Sequence, residues 1–323
     1  MHKFLKSGSI AIASVGLLAS CGLGDSSPPS DVTKGSLADV GDLSGVSLSV
    51  GGKEFTEQLI LCELTAQALE STGAEVKRTC GLSGSNTVRT ALTSGDIDMY
   101  WEYTGTGWIT YLGQTEAIAD PTKLYEAVAN LDKTENKIVW LDPSPANNTY
   151  AVAASKEQAD ALGVATLSDY AKLANDDSSK AGFCGAAEFF GRDDGWPGLE
   201  KAYGFKLPGG DVAELAAGAV YSSIDKGSPC AFGEVFATDG RIAALDLVVL
   251  EDDKNFFTAY NPAINIREEV LDKNPAIADV LDPIAKALTD QTLQALNAQV
   301  DVDGDSPEKT AKDWLVKEGF VGE

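Results

Sequence analysis

The chain has 323 residues, 44% hydrophobic and 23% charged, with 25 Lys+Arg against 49 Asp+Glu and a formal charge of −24. That length suggests about two domains at roughly 150 residues each, and the acidic balance argues against nucleic acid, whose binding rests on Lys and Arg neutralising phosphates. The only histidine is His2, so loss of the extreme N-terminus excludes Ser-His-Asp and Cys-His catalysis and every zinc or iron site that needs imidazole.

Lys3 and Lys6 precede an apolar run over residues 10–19 that ends in small residues. This is the pattern of a secretory signal over residues 1–20, too short for a spanning helix of ~20 apolar residues. The join Leu18-Ala19-Ser20-Cys21-Gly22 resembles the lipobox of bacterial lipoproteins. The resemblance implies that Cys21 is lipidated, becomes the mature N-terminus and anchors the chain to the outer side of the cell membrane. Losing Lys3 and Lys6 takes the formal charge from −24 to −26. Residues 21–44, rich in Gly, Ser, Pro and Asp, read as a flexible tether with a reach of about 25 Å. Cys62, Cys80, Cys184 and Cys230 remain. An even number in an exported chain suggests two bridges, with three possible connectivities. Cys62–Cys80 and Cys184–Cys230 are favoured, because each pair then lies within one lobe; free buried thiols are the alternative.

Residues 46–50 alternate as a strand ending in Gly51-Gly52. From Thr56, a candidate N-cap, Leu59, Ile60, Leu64 and Leu69 recur at helical spacing until Gly73. Residues 75–79 read as a strand, 86–92 as a helix and 97–100 as a strand. Residues 149–154 read as a strand, then 170–174, 199–203 and 214–224 as helices. Residues 231–236 and 247–250 read as strands, 275–296 as one amphipathic helix and 308–318 as a last helix. Alternation of this kind predicts α/β lobes built on parallel sheets, with ligands beyond the carboxyl ends of the strands. The division expected is one lobe from residues 45–144 and 251–323 and a second from 145–250.

No phosphate-cradling glycine motif follows a strand. Asp301-Val302-Asp303-Gly304-Asp305 hints at a calcium loop, but its sixth position is Ser306 and its twelfth is Lys312, so it reads as a solvated turn. Asn147-Asn148-Thr149 is a glycosylation sequon without functional weight here. A glycosidase needs two carboxylates about 5–10 Å apart, and nothing in the sequence pairs any two of the 49 acids. What stands out is aromatic: Trp101, Tyr103 and Trp108 after one strand, and Phe256, Phe257 and Tyr260 after another. Taken singly, such rings are more often core than ligand contacts.

An ordered series of motifs changes that weighting: GGKEFTEQLI at 51–60, GLSGSNTVRTAL at 81–92, DIDMYWEYTGT at 96–106 and NNTYAVA at 147–153. It continues with EFFGRDDG at 188–195, GEVFATDGRIAALDLVVLEDDK at 233–254 and NPA at 261–263. From about residue 46 to the end, the chain resembles the substrate-binding proteins of ABC importers for glycine betaine, choline and related osmoprotectants. The resemblance implies a two-lobed periplasmic-binding-protein fold of type II with two hinge crossings and the ligand between the lobes. It also implies no catalysis, no cofactor or metal, a monomer, and delivery of the ligand to the permease subunits of the importer. A quaternary ammonium head would sit in a box of Tyr103, Tyr150, Phe236 and Tyr260. Phe236 stands where a tyrosine is common, keeping the ring face without the hydroxyl. A ligand carboxylate would be held by Lys53, Thr106 and the planar fork of Arg192, with Asn148 and Glu188 at neighbouring positions.

The chemistry is coherent. A trimethylammonium group has no N–H to donate, whereas ring faces attract it at ~0.5–2 kcal/mol each once desolvated. Four rings then supply roughly 2–8 kcal/mol gross, and micromolar affinity already needs about 8 net. The box alone is marginal; the carboxylate contacts must contribute.

Overall fold

The computed structural model describes residues 33–114 and 118–322. The signal segment, Cys21 and the first part of the expected tether lie outside the described residues. The first sheet takes β1 (Ser47–Lys53), β2 (Glu75–Leu82), β3 (Met99–Tyr103) and β4 (Ile138–Trp140). The chain then builds a second sheet from β5 (Tyr150–Ser155), β6 (Phe183–Gly185), β7 (Val212–Glu214), β8 (Phe232–Phe236) and β9 (Leu247–Val249). It returns to the first with β10 (Pro262–Arg267). The strand orders are β2-β1-β3-β10-β4 and β9-β5-β8-β6-β7.

Neither sheet is purely parallel, as the alternation had suggested. β1 runs parallel to β2 and β3, but the returning β10 pairs antiparallel with β3 and β4. In the second sheet β5, the first strand after the crossing, is antiparallel to β8 and β9, while β6 is parallel to β7 and β8. Each sheet therefore contains a strand that arrives from the other one, and the crossing reverses its direction. The two connections run side by side. Asn148 donates its backbone N–H to the Tyr260 carbonyl (3.1 Å), Tyr260 donates its own to Asn147 Oδ1 (2.7 Å), and the Thr149 hydroxyl reaches the Thr258 carbonyl (3.1 Å).

Both faces of each sheet are covered, which explains the continuous burial of β3 and β5. Helix α1 (Thr56–Ser71) buries Ile60, Leu61, Leu64 and Leu69 against the first sheet. Its N-cap is Phe55, which has no side-chain acceptor, and Thr56, the expected cap, is instead the first helical residue and donates its hydroxyl to Asp301 Oδ1 (2.7 Å). Asp301 is accordingly no solvated calcium-loop residue; it also faces Arg241 at 3.4 Å. The expected helix over 275–296 is two helices, Ala276–Ala287 and Asp290–Asp301. Thr289 starts the second by accepting from the Thr292 N–H. The stretch 33–44 is not free tether. Residues Thr33–Lys34 pair with Val321–Gly322, and Leu37 and Leu43 are buried in the first core. Residues 214–224 begin as the last residue of β7, and the helix follows at Ala217–Lys226.

Disulfides join Cys62 to Cys80 and Cys184 to Cys230. The first ties α1 to β2 beneath the first sheet, and the second holds β6 near the start of β8. Among the described residues no helix is long and apolar enough to cross a membrane.

Candidate functional site

The carboxyl ends of β1, β3 and β8 open onto one cavity of about 630 Å³ between the two sheets. Lys53 ends β1, and Tyr103 ends β3 and turns directly into Thr106. Phe236 ends β8 and sits opposite Tyr150 at the start of β5. Asn148 and Tyr260 come from the two crossings; Glu188 and Arg192 come from the short helix Ala187–Gly191 and the residue that ends it. All nine residues singled out in the sequence line this cavity.

The rings form a connected wall. Tyr150 lies 5.4 Å from Phe236 and 5.5 Å from Tyr260, the latter edge-on. Phe236 stacks on Phe55 at 5.2 Å, and Phe55 reaches Tyr103 at 6.2 Å. Phe55 is a fifth ring that the sequence reading passed over, although it stands inside the GGKEFTEQLI motif. Burial keeps the phenols of Tyr103, Tyr150 and Tyr260 protonated well above the ordinary tyrosine range, so each presents a neutral face. The remaining aromatics of those clusters serve elsewhere. Trp101 is buried under α1 and donates to Thr65 (2.7 Å), Trp108 joins the core on the opposite face, and Phe256 and Phe257 back the Tyr150 side.

The charged groups are already paired. Lys53 Nζ donates to Glu102 Oε1 (2.7 Å) and lies 5.2 Å from the Tyr103 ring centre. Glu102 also accepts from the Tyr100 and Tyr111 hydroxyls (2.9 and 2.6 Å) and from the Tyr103 N–H (2.8 Å). The fork of Arg192 is not free for a ligand carboxylate. Nε and Nη2 grip both oxygens of Asp194, Nη1 donates to Glu188 (2.9 Å), and Nη2 reaches the Thr106 hydroxyl (3.3 Å). Tyr260 donates to the same Asp194. Glu188 accepts from the Ser85 hydroxyl (2.5 Å) and N–H (3.2 Å) at the opposite wall, linking the two sides of the cleft. Burial pushes its carboxyl up, but Lys53, the Ser85 hydroxyl and Arg192 outweigh this and hold it at about 2.

Behind Tyr103 lies Glu57, 3% exposed. It accepts from the Tyr103 hydroxyl (2.8 Å), Asn148 Nδ2 (2.8 Å), Asn297 Nδ2 (3.1 Å) and the Thr238 hydroxyl. These donors come from both sides of the cleft and from a crossing. Burial raises the Glu57 pKa despite them.

The chain that builds this aromatic cleft has relatives among known proteins. Residues 46–317 match the family model of the substrate-binding domain of the ABC-type glycine betaine transport system. The chain belongs to that family. It is 42% identical over 274 residues to a glycine-betaine-binding protein of Pseudomonas aeruginosa, covering 83% of this chain and 87% of that one. It is 36% identical over 276 residues to an ergothioneine transport permease/ergothioneine binding protein of Helicobacter pylori, covering 84% of this chain and 48% of that one. The structure of apo YehZ from Escherichia coli superposes with a TM-score of 0.62 at 34% identity, covering 85% of this chain and 99% of that one. This ABC substrate-binding domain therefore has the type II periplasmic-binding-protein architecture and serves a transporter as its extracytoplasmic solute-binding component.

Proposed function

We propose that this binding domain captures glycine betaine or a closely related quaternary ammonium osmolyte between five ring faces and hands it, chemically unchanged, to the permease subunits of its importer. The observation that carries this reading is the connected wall Tyr103–Phe55–Phe236–Tyr150–Tyr260 with its neutral phenols. Lys53, through the two ammonium hydrogens not directed at Glu102, and the remaining Nη1 hydrogen of Arg192 hold the ligand carboxylate; Thr106, Asn148 and Glu188 set the geometry around them. Residues 45–144 with 251–323 act as one lobe and 145–250 as the other, closing about the paired crossings. Residues 1–20 direct export, a lipid on Cys21 anchors the chain, and the protein acts as a monomer.

Calorimetry with glycine betaine, choline, carnitine and ergothioneine tests the reading. At least one quaternary ammonium ligand is expected to bind at micromolar level or tighter, with no turnover by NMR. Binding of a sugar or an unmethylated amino acid, with none of these below millimolar, would sink it. A second reading, a plain cation such as choline, is favoured by the charge inventory. Lys53 and Arg192 face three carboxylates, Glu102, Glu188 and Asp194, which leaves no net positive charge for a ligand carboxylate.

Gly105 offers a finer check. A Cβ there would lie 2.6 Å from Tyr260 Cε1 and 2.9 Å from Thr258 Cγ2, so Gly105→Ala must push the Tyr260 ring. Overpacking on this scale costs at least about 1 kcal/mol, and affinity should fall about fivefold to tenfold in the same titration. Unchanged affinity would show that Tyr260 is not a ligand contact.

A further inference from the structure

Of the buried carboxyl groups that line the cavity or stand just behind its wall, Glu57 and Glu234 form no ion pair among the described residues, and of these two only Glu234 lines the cavity itself. Glu102 has Lys53, and Glu188 and Asp194 share Arg192. Glu234 stands on β8 two residues before Phe236, so the pleat turns both side chains to one face, and both line the cavity. It is 4% exposed, and Oε2 accepts the Ala186 N–H at 2.7 Å. Gly185 closes off that oxygen, since a Cβ there would come within 3.3 Å of it. Among the described residues no Lys or Arg forms an ion pair with Glu234. The charged and titratable groups that surround it are Tyr150 on β5, Glu188 and Arg192 beyond β6, Glu214 on β7, and Lys53 with Glu102 across the cleft.

An unpaired carboxylate enclosed by rings is costly unless a counter-charge is supplied or a proton is retained. Burial raises the Glu234 carboxyl, the Ala186 N–H lowers it, Glu188 raises it again and Arg192 lowers it, leaving it at about 8. The charge of the wall therefore depends on one proton. We propose that Glu234 is a specificity-determining residue of this cavity: as the carboxylic acid it admits a zwitterion with its own carboxylate, and as the carboxylate it selects a plain quaternary ammonium cation. This rests on the quaternary ammonium reading above. A cation entering the box supplies the counter-charge that Glu234 lacks, and the proton leaves to solvent. Glycine betaine brings a carboxylate of its own and gains no such advantage from ionisation.

The direction follows from linkage. A cation that prefers ionised Glu234 binds more tightly as pH rises toward 8, by at most about tenfold per unit, and levels off above it. The single histidine is His2, and the box phenols lie far higher. Burial raises the Glu57 carboxyl too, but it faces four donors behind Tyr103, and a substitution at Glu234 leaves those donors in place.

The test is calorimetric titration of the full chain with choline and with glycine betaine at about pH 6.5 and about pH 9, for the natural protein and Glu234→Gln. In the natural protein the preference for choline over betaine should rise at least about fivefold at the higher pH, and in Glu234→Gln it should stay constant. Titrations in buffers of different ionisation heats should also show choline-linked proton release by the natural protein near neutral pH. That count does not depend on the variant folding. A pH-independent preference, an equal rise in Glu234→Gln, or the absence of proton release overturns the inference while the quaternary ammonium reading stands. If neither choline nor glycine betaine binds at either pH, the inference is overturned; the quaternary ammonium reading falls with it only if carnitine and ergothioneine fail as well.

Discussion

Glu57→Leu is expected to lower the free energy of unfolding by about 3–5 kcal/mol, read from the urea midpoint at neutral pH. The size follows from what leucine cannot do. The Tyr103 hydroxyl, Asn148 Nδ2, Asn297 Nδ2 and Thr238 hydroxyl all converge on the Glu57 carboxyl. Each is buried, so losing the acceptor exposes it to a desolvation cost of about 1–3 kcal/mol. Asn297 keeps a second contact, to the Thr238 carbonyl at 2.9 Å, and leucine recovers some apolar burial. These offsets hold the loss below the simple sum. Glu57→Gln retains one acceptor oxygen but turns an amide N–H₂ toward donors, so it should fall between the two, at about 1–2 kcal/mol. Ligand affinity should drop in both variants, because the Tyr103 ring is held through its hydroxyl. A leucine variant as stable as the natural protein would mean that the four donors find other partners.

That node was not legible in the sequence, and the reason is general to this fold. Glu57 is bonded to residues 103, 148, 238 and 297, and only tertiary structure brings those positions together. In a chain with 49 acids, a buried carboxylate looks the same as a solvated one. Glu102 and Glu234 were hidden in the same way, although each lies inside a quoted motif. The strands 47–53 and 150–155 were readable because their residues alternate or run apolar between turn signals. The strand 262–267 was not, since it opens on Pro262 and buries the polar Asn265 at its centre. Leu37 and Leu43 escaped notice as core because Gly, Ser and Asp surround them, and composition outweighs two side chains. Phe55 was passed over because it stands just before the helix that starts at Thr56, where a ring of the box looks like loop. The motif series did lead to the nine cavity residues, because most of its motifs deliver one or two side chains at a strand end, a short helix or a crossing. Asp193 and Asp194 beside Arg192 are visible as surface partners for it, but that Asp194 fills the fork while buried in the cleft is not, since side-chain direction is a property of packing.

Tyr150→Ala is expected to weaken quaternary ammonium binding by about 2–3 kcal/mol, roughly 30-fold to 150-fold, while Tyr150→Phe stays within about threefold. Tyr150 is the ring on which the wall turns, touching Phe236 and Tyr260 inside the box and Phe189 and Phe257 behind it. The Arg192 guanidinium lies 5.6 Å from its centre. Alanine removes one desolvated cation–π face directly, worth up to about 2 kcal/mol. It also lets water into the space between Phe236 and Tyr260, which weakens the electrostatic attraction of the rings that remain. Phenylalanine preserves the face and the packing, so the contrast between the two variants isolates the ring from its hydroxyl. The same contrast separates binding to ring faces from binding to hydrogen-bond donors. If the ligand were held chiefly by Lys53 and Arg192, both Tyr150 variants would bind almost as tightly as the natural protein. Calorimetric titration with glycine betaine and choline at neutral pH reads the difference, and circular dichroism confirms that each variant remains folded.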